Sequence, residues 1–352
     1  MSHGSESLLP LSCPSPLPAV NRIVLAHGEG ARLSRRLIRN ELLAVLGNEH
    51  LNPLGDGALL PAIEGPLVMT TDSSVVSPLF FPGGDIGQLA VHSAINDLAV
   101  CGADPRYLSL AFILEEGLEM ATLRSIVQSI GRALKDCNVP VVTGDTKVVP
   151  RGAVDQIFIN VTGIGQQRPG IELGPHRVRP GDQILVSGTI GDHGLTILSA
   201  RNRLEFEGLA SDTAPIHGLV DSLLRSNADI RFLRDPTRGG VAGVLHELLE
   251  QMSGEICLDE SALPLSEAGR GASELLGLDP WFIANEGKLV IVVAADDVDR
   301  ALTSLRRHPL GKQAARIGEV RAGSTNHVVV KGILGIERIL TEPAGAPLPR
   351  IC

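Results

Sequence analysis

The stretch Val139-Pro140-Val141-Val142-Thr143-Gly144-Asp145-Thr146-Lys147 joins a helix to a strand and ends in charged residues. Val139 to Val142 is expected to form a short buried strand. The helix before it has its apolar residues at helical spacing: Leu123, Ile126, Val127, Ile130 and Leu134. If the strand continues past the glycine, Asp145 and Lys147 lie on one face. They then form either a solvated ion pair or a pair of reactive groups.

Helices and strands alternate outward from this stretch in both directions. The sequence predicts strands over Pro66 to Thr71, Gln156 to Val161, Gln183 to Ser187 and Leu289 to Val293. A chain of 352 residues is longer than one core usually sustains, so two domains are expected. Glycines and prolines between residues 166 and 180 indicate the linker.

Composition excludes several classes of protein. Aromatic residues make up only 3% and the net charge is −9, which argues against a nucleic-acid partner. No apolar run is long enough to span a membrane. The five cysteines are scattered without C-x-x-C spacing, which favours a reducing cytoplasm over a disulfide framework or structural zinc. Residues 1–20 hold four prolines and no basic segment, so we expect a disordered extension.

Acidic residues follow several predicted elements of the first half. They are Asp56, Asp72, Asp97 and Asp145. Carboxylates suit Mg²⁺ with phosphate oxygens better than they suit zinc, although an acid after a strand is also a common turn residue. The loop His27 to Ala31 brings two glycines to a helix start, yet neither the dinucleotide fingerprint nor the P-loop motif is present.

Two glycine-rich turns precede helices in the second half. Gly188 to Gly194 contains His193, for which a hydrogen bond within the loop is expected. Arg234 to Gly240 contains Arg238, which either binds phosphate oxygens or is solvated.

The chain ends in a proline-punctuated segment, Thr341 to Cys352, with prolines at 343, 347 and 349. Proline disfavours helix and sheet, so this segment is expected to be an arm that carries a terminal thiol. A frayed end without function is the alternative.

Several of these stretches together resemble the HypE family of hydrogenase maturation proteins. The similar motifs are Thr71-Asp72-Ser73, Asn96 to Val100 with Gly102-Ala103, Gly144 to Val149, Ser187-Gly188 with Gly191 to Gly194, Arg234 to Gly240, Asn285-Glu286-Gly287 and Pro349 to Cys352. The resemblance runs from about Ile23 to Cys352, and the terminal Pro-Arg-Ile-Cys is its most specific mark.

The resemblance implies an α/β (α+β) protein with the two-domain fold of aminoimidazole ribonucleotide synthetase. Mixed sheets flanked by helices and a flexible C-terminal tail belong to that fold. The implied parts are an ATP/Mg-binding and dimerisation domain over 21–168, an α/β domain over 180–340 and a mobile tail over 341–352.

The resemblance also implies the activity: ATP-dependent dehydration of an S-carboxamide on Cys352 to a thiocyanate, whose cyanide goes to the iron of a [NiFe]-hydrogenase. The implied partners are a HypF-like carbamoyltransferase, a HypC–HypD-like iron scaffold and a second copy of the chain.

By the same resemblance, Cys352, Lys147 and Glu286 are the catalytic residues, and Asp72, Asp97 and Asp145 hold Mg²⁺. The implied ATP-binding residues are Asp56, Asp72, Asp97, Gly144, Asp145, Thr146, Asp192 and Arg238. Two alternatives stay open: a phosphotransferase or synthetase of the same fold, similar to selenophosphate synthetase or thiamine monophosphate kinase, and a non-catalytic assembly partner.

Overall fold

The computed structural model describes residues 21–323, 325–343, 345, 348 and 350–352. The predicted disordered extension over 1–20 and the tail residues Pro347 and Pro349 lie outside the described residues. Within them, both predicted sheets are mixed and flanked by helices.

The first half builds a four-stranded sheet in the order β1-β6-β4-β5. Its elements, with a small hairpin β2-β3, are α1 (Arg32–Leu37), α2 (Leu43–Leu46), β1 (Leu67–Ser74), β2 (Phe80–Phe81), β3 (Gly84–Asp85), α3 (Ile86–Val100), β4 (Ala103–Glu115), α4 (Met120–Cys137), β5 (Val141–Val149) and β6 (Ile157–Gln167). A π-helical segment, Ile38–Leu42, joins α1 to α2.

Helices α3 and α4 cover one face of this sheet. Asp85 begins α3 by accepting hydrogen bonds from the N–H groups of Gly87 and Gln88. Alternate residues of β4 (Leu108, Leu110, Phe112 and Leu114) are buried beneath the helices, and the residues between them lie on the opposite face. The first sheet therefore has one covered and one largely open face.

The second half builds a seven-stranded sheet in the order β13-β12-β9-β11-β7-β10-β8. Its elements are β7 (Gln183–Val186), α5 (Asp192–Asn202), α6 (His217–Leu224), β8 (Ile230–Arg234), α7 (Gly240–Glu250), β9 (Glu255–Asp259), α8 (Glu267–Leu276), β10 (Val290–Val293), α9 (Val298–Arg307), β11 (Ala315–Arg321), β12 (Val328–Lys331) and β13 (Glu337–Ile339). Strand β10 is buried throughout, which explains its unbroken run of valine and isoleucine.

One hydrophobic core crosses the boundary between the halves. The residues beneath α3 and α4 join Leu195 and Ile197 of α5, and they join Leu348 and Ile351 near the end of the chain. The chain terminus is therefore packed into the protein through two aliphatic side chains. Among the described residues, no helix is both long and apolar enough to cross a membrane.

Candidate functional site

The end of the tail lies beside the end of β1. The backbone N–H of Val75 donates to the carbonyl oxygen of Cys352 over 3.0 Å. Arg350 donates to the Val75 carbonyl and pairs with Asp155 at 3.0 Å. The side chains of Leu348 and Ile351 are buried. These contacts dock the last residue between the two halves of the chain.

A cavity of about 380 Å³ opens next to the docked cysteine. Thr71, Asp72 and Ser73 of β1 line one side, and Arg238 lines the other. Such a space is large enough for a small acyl group on the sulfur, and it is also large enough for the phosphates of a nucleotide.

The thiol of Cys352 is in an acidic environment. Burial first, and then the carboxyl groups of Glu286 and Asp72, raise its pKa to about 12, with Arg238 acting in the opposite direction. An unmodified thiol is therefore a poor nucleophile in this position. The position suits a sulfur that already carries a group.

Glu286 is the first of these neighbours and is almost completely buried. Its Oε2 accepts a hydrogen bond from Ser93 over 3.2 Å, and its Oε1 has no hydrogen-bond partner among the described residues. Burial raises the pKa of Glu286 well above its usual value, and the charges of Asp72 and Asp235 act in the same direction. An unpaired carboxyl oxygen with a raised pKa can accept a proton.

The backbone around Glu286 is fixed by residues from both halves. Asn96 of α3 donates to the Glu286 carbonyl over 3.1 Å, and Asp212 accepts from the Glu286 N–H over 3.0 Å. Asp212 is itself buried and pairs with Lys288 at 3.1 Å. At Gly287 a Cβ would overlap the carbonyl oxygen of Asp212, so this loop requires glycine.

Asn285 connects three of the motifs found in the sequence. Its side chain donates to the carbonyl oxygens of Pro236 and Ile283 and accepts from the N–H of Gly191. The turn that carries Asp235 and Arg238 is therefore held against the turn that starts α5. Gly240 has φ of +61°, and a Cβ there would collide with the backbone of Trp281 to Ile283.

Three acids lie near one another at this end of β1: Asp235 is buried, and Asp72 and Asp97 are partly buried. Asp97 accepts a hydrogen bond from Thr70 over 2.6 Å, and burial raises its pKa, with Asp72 acting in the same direction. Burial and the charge of Asp97 raise the pKa of Asp235 to about 7. Carboxylates that repel one another in a buried site offer hard oxygen ligands, so Asp72 and Asp97 fit the requirements of Mg²⁺.

A second cavity, of about 330 Å³, lies at the other edge of the first sheet. The residues Thr143 to Lys147 of β5 line it together with apolar residues such as Leu46 and Phe112. Gly28 and Gly30 of the N-terminal loop lie across it. Its mixed apolar and polar lining fits a nucleotide.

The strand β5 continues through Gly144 to Val149, which brings Asp145 and Lys147 onto one face as predicted. The two side chains form an ion pair with a separation of 3.0 Å. Both are well exposed. Lys147 lies in this second cavity and does not line the cavity beside Cys352.

Within one chain, Asp145 does not join Asp72 and Asp97. Asp72 lies on the edge strand β1 and Asp145 on the opposite edge strand β5, which is three strand spacings away or roughly 14 Å. In the register of the sheet, Asp72 pairs with Val161, whereas Asp145 pairs with Ala111 and through it with Asn160, so the two acids point to opposite faces. Ligands of one Mg²⁺ ion lie within about 4 Å of each other. The described residues contain no group of three or more His, Cys, Asp or Glu that could hold a metal ion.

The remaining predicted residues are at separate places. Asp56 is exposed in a loop between Gly55 and Gly57, which line the second cavity. Asp192 is buried at the start of α5, where its two carboxyl oxygens accept hydrogen bonds from Thr189 and Ser266. These contacts support a structural role for Asp192, which fixes the glycine-rich turn before α5.

Several residues of the site were not identified from the sequence. Asp235 stands inside a quoted motif, and its place between two arginines and a proline was a usable signal. Ser93 and Asp212 have no local signal, because they meet Glu286 only through the fold. His193 was expected to bond within its loop, but it contacts the carbonyl of Ile351 instead.

Comparison with known proteins identifies two domain families along the chain. The AIR synthase related protein N-terminal domain family matches residues 55–167, and the corresponding C-terminal domain family matches residues 179–331. The carbamoyl dehydratase HypE of Azotobacter vinelandii is 48% identical over 331 residues, which is 94% of this chain and 97% of that protein. The chain belongs to the HypE family.

Solved HypE structures extend the similarity to three dimensions. A crystal structure of HypE in complex with ATP has a TM-score of 0.90 and 47% identity, covering 94% of this chain and 99% of that one. HypE in a HypE–HypF complex has a TM-score of 0.77 and 44% identity, covering 87% of this chain and 99% of that one. The predicted family and the predicted two-domain fold are confirmed.

Proposed function

We propose that this protein acts in [NiFe]-hydrogenase maturation by dehydrating an S-carboxamide on its own Cys352 to a thiocyanate, with ATP as the phosphoryl donor. The observation that carries the proposal is the docked terminus. Cys352 lies half-buried beside a 380 Å³ cavity, with Glu286 and Asp72 as its acidic neighbours and Arg238 across the cavity. The relatives bear the name carbamoyl dehydratase, and a HypE has been solved with ATP.

The reaction balances without an oxidant or a reductant. The amide oxygen of the S-carboxamide attacks the γ-phosphorus of ATP, ADP leaves, and one N–H proton is lost, which gives an S-bound imidate phosphate. The C–O bond then breaks, phosphate leaves with the former amide oxygen, and loss of the second N–H proton gives S–C≡N. Two protons therefore have to leave the nitrogen.

Glu286 is the group that this geometry offers for a proton transfer. Its Oε1 has no hydrogen-bond partner among the described residues, and its raised pKa makes the ionised form a stronger base. Lys147 is the second candidate for proton transfer, and it lines the second cavity, at the β5 edge of the same chain. Closure of the site around the docked tail would keep water from the imidate phosphate and the thiocyanate.

Mg²⁺ is part of the proposal through Asp72 and Asp97. Their carboxylates are hard oxygen ligands; burial and the charge of Asp72 raise the pKa of Asp97, while Arg234 and Arg238 act in the opposite direction. A bound Mg²⁺ supplies charge neutralisation for phosphoryl transfer. Arg238 lines the cavity beside Cys352, where it can contact phosphate oxygens. The apolar side of the second cavity, at the β5 edge of the sheet, suits the adenine base.

A homodimer through the open face of the first sheet is also proposed. That face carries exposed Leu67, Met69 and Ile113, and it carries Asp145 and Lys147 at its β5 edge. A second sheet packed on it would bury this apolar surface and bring Asp145 against the partner chain.

The proposed partners follow from the chemistry of the tail. A HypF-like carbamoyltransferase supplies the carbamoyl group, in line with the solved HypE–HypF complex. A HypC–HypD-like iron scaffold receives the cyanide. A reducing cytoplasm keeps the thiol free for both steps.

The test is Cys352→Ala in a carbamoylation and dehydration assay with a calorimetric measurement of Mg·ATP binding. The proposal expects that product is lost and that nucleotide affinity changes less than about twofold. Turnover of a small phosphoryl acceptor that is unchanged by Cys352→Ala would favour the phosphotransferase alternative.

A further inference from the structure

His193 connects the glycine-rich turn of the second half to the tail. It follows the first residue of α5 and is completely buried, with its ring against that of Phe81 at 5.8 Å between centroids. Its Nε2 lies 2.7 Å from the carbonyl oxygen of Ile351, and its Nδ1 lies 2.8 Å from the hydroxyl of Ser211. Both ring nitrogens are therefore in hydrogen bonds.

The partners determine which nitrogen carries the proton. A carbonyl oxygen only accepts, so Nε2 must donate to Ile351. The hydroxyl of Ser211 then donates to Nδ1 while its oxygen accepts from the N–H of Thr213 over 3.1 Å. Burial lowers the pKa of His193, which is consistent with a neutral ring. The Ile351 carbonyl therefore requires the Nε2–H tautomer, and the Ser211 hydroxyl stabilises that tautomer by donating to Nδ1.

The bond to Ile351 acts on the peptide group that precedes the cysteine. The apolar contacts of Leu348 and Ile351 favour burial of the tail, but hydrophobic contacts are non-directional and do not fix its register. The hydrogen bond from Val75 fixes the carbonyl of Cys352 itself, and the bond from His193 fixes the carbonyl before it. The Ile351 carbonyl belongs to the peptide that joins directly to Cys352, so a hydrogen bond there limits both rotation and sliding of the last residue.

We propose that His193, fixed by Ser211 as its Nε2–H tautomer, is a positioning residue that holds the tail at the Ile351 carbonyl and so places the sulfur of Cys352 beside Glu286. The inference deepens the proposed function and rests on it for its catalytic consequence. The docking itself is independent of that function and can be measured without ATP or a carbamoyl donor.

The first measurement is the rate at which iodoacetamide alkylates Cys352 in the full-length unmodified protein, followed on the C-terminal peptide by mass spectrometry. Docking half-buries this thiol and raises its pKa, so the docked form reacts slowly. Losing one hydrogen bond of ordinary strength shifts the docking equilibrium by about fivefold. We therefore expect His193→Ala to raise the alkylation rate by about fivefold.

A second pair of variants tests the tautomer. Glutamine places an amide N–H at nearly the reach of Nε2, so His193→Gln should keep the alkylation rate within about twofold of wild type. Ser211→Ala should speed alkylation when His193 is present and have no effect in the His193→Gln background, because glutamine needs no tautomer selection. Any effect of losing the Thr213 contact is the same in both backgrounds and cancels in this comparison. The comparison also does not require that His193→Ala folds.

The matched control is His246→Ala, which removes a partly buried histidine of the same half, on α7. It should leave the alkylation of Cys352 unchanged. Equal alkylation rates for wild type, His193→Ala and Ser211→Ala would overturn the inference. The inference would also be overturned if Ser211→Ala changed the alkylation rate equally in the wild-type and His193→Gln backgrounds. Ser211 would then act only on the fold and not through His193.

The catalytic consequence has its own readout. In a single turnover of carbamoylated protein, His193→Ala should lower the dehydration rate by about the factor by which it lowers docking, with ATP affinity unchanged. If wild-type protein does not dehydrate at all, the proposed function fails while the alkylation result still decides the docking role. If alkylation changes as expected and dehydration does not, the positioning role is refuted.

Discussion

Asp72 and Asp145 lie on opposite edge strands and opposite faces of one four-stranded sheet, roughly 14 Å apart. Asp72 faces the docked tail, whereas Asp145 faces away from it with Lys147. If both acids serve one reaction, a second chain has to supply one of them.

Mixing two inactive variants tests this consequence of the proposed homodimer. We expect Asp72→Asn and Asp145→Asn each to reduce dehydration strongly. In a mixed dimer, one of the two sites would regain both native acids, so an equal mixture should recover about one quarter of wild-type activity. The measurement is activity after subunit exchange, with native mass spectrometry to verify the mixed dimers. If mixed dimers formed but recovered no dehydration activity, Asp72 and Asp145 would not act together in one site shared by two chains.

Glu286→Gln tests the proton-transfer role. The amide keeps the size of the side chain and its hydrogen bond to Ser93, but it cannot accept a proton. We expect the dehydration rate to fall by about 10²-fold or more, with Mg·ATP affinity nearly unchanged. Single-turnover rates and calorimetry provide the comparison. Full activity in this variant would remove Glu286 from the chemistry.

Asp235→Asn should change how stability depends on pH. The pKa of Asp235 is about 7 in the folded protein against a usual 3.8, so between those values the folded state retains a proton that the unfolded state has lost. Stability therefore falls as pH rises from about 4 to about 7, by on the order of a few kcal/mol, and this loss is complete above pH 7.

The asparagine variant should lack most of this decline and be more stable than wild type at pH 8. Urea unfolding in EDTA without nucleotide at pH 5 and pH 8 measures the difference. Asp136→Asn, on the exposed side of α4, is the matched control and should follow the wild type. If the stability of Asp235→Asn depended on pH as that of the wild type does, the pKa of Asp235 would not be raised in the folded protein.

Local sequence signals predicted much of the architecture. The spacing of apolar residues identified α4, and the run over Leu289 to Val293 identified β10. Strand β4 was not identified, although it is the central strand beside β5 and β6. Its pattern is mixed because one face is buried under helices and the other is partly open.

The site could be predicted only as far as its motifs. The sequence indicated that Cys352, Glu286 and Asp72 belong to functional motifs, but distances across a sheet are not encoded in local spacing. The separation of Asp145 from Asp72 depends on strand order and register, and the contact of His193 with Ile351 joins residues 158 positions apart. Such relationships arise from tertiary packing, which no local pattern reports.

The most direct test of the account is the intact mass of the protein after treatment with a carbamoyl donor system, with and without Mg·ATP, followed by mapping of the C-terminal peptide. We expect Cys352 to gain a carbamoyl group and to lose one water from it only when ATP is present. Consumption of ATP with a small acceptor while Cys352 stays unmodified would contradict the account.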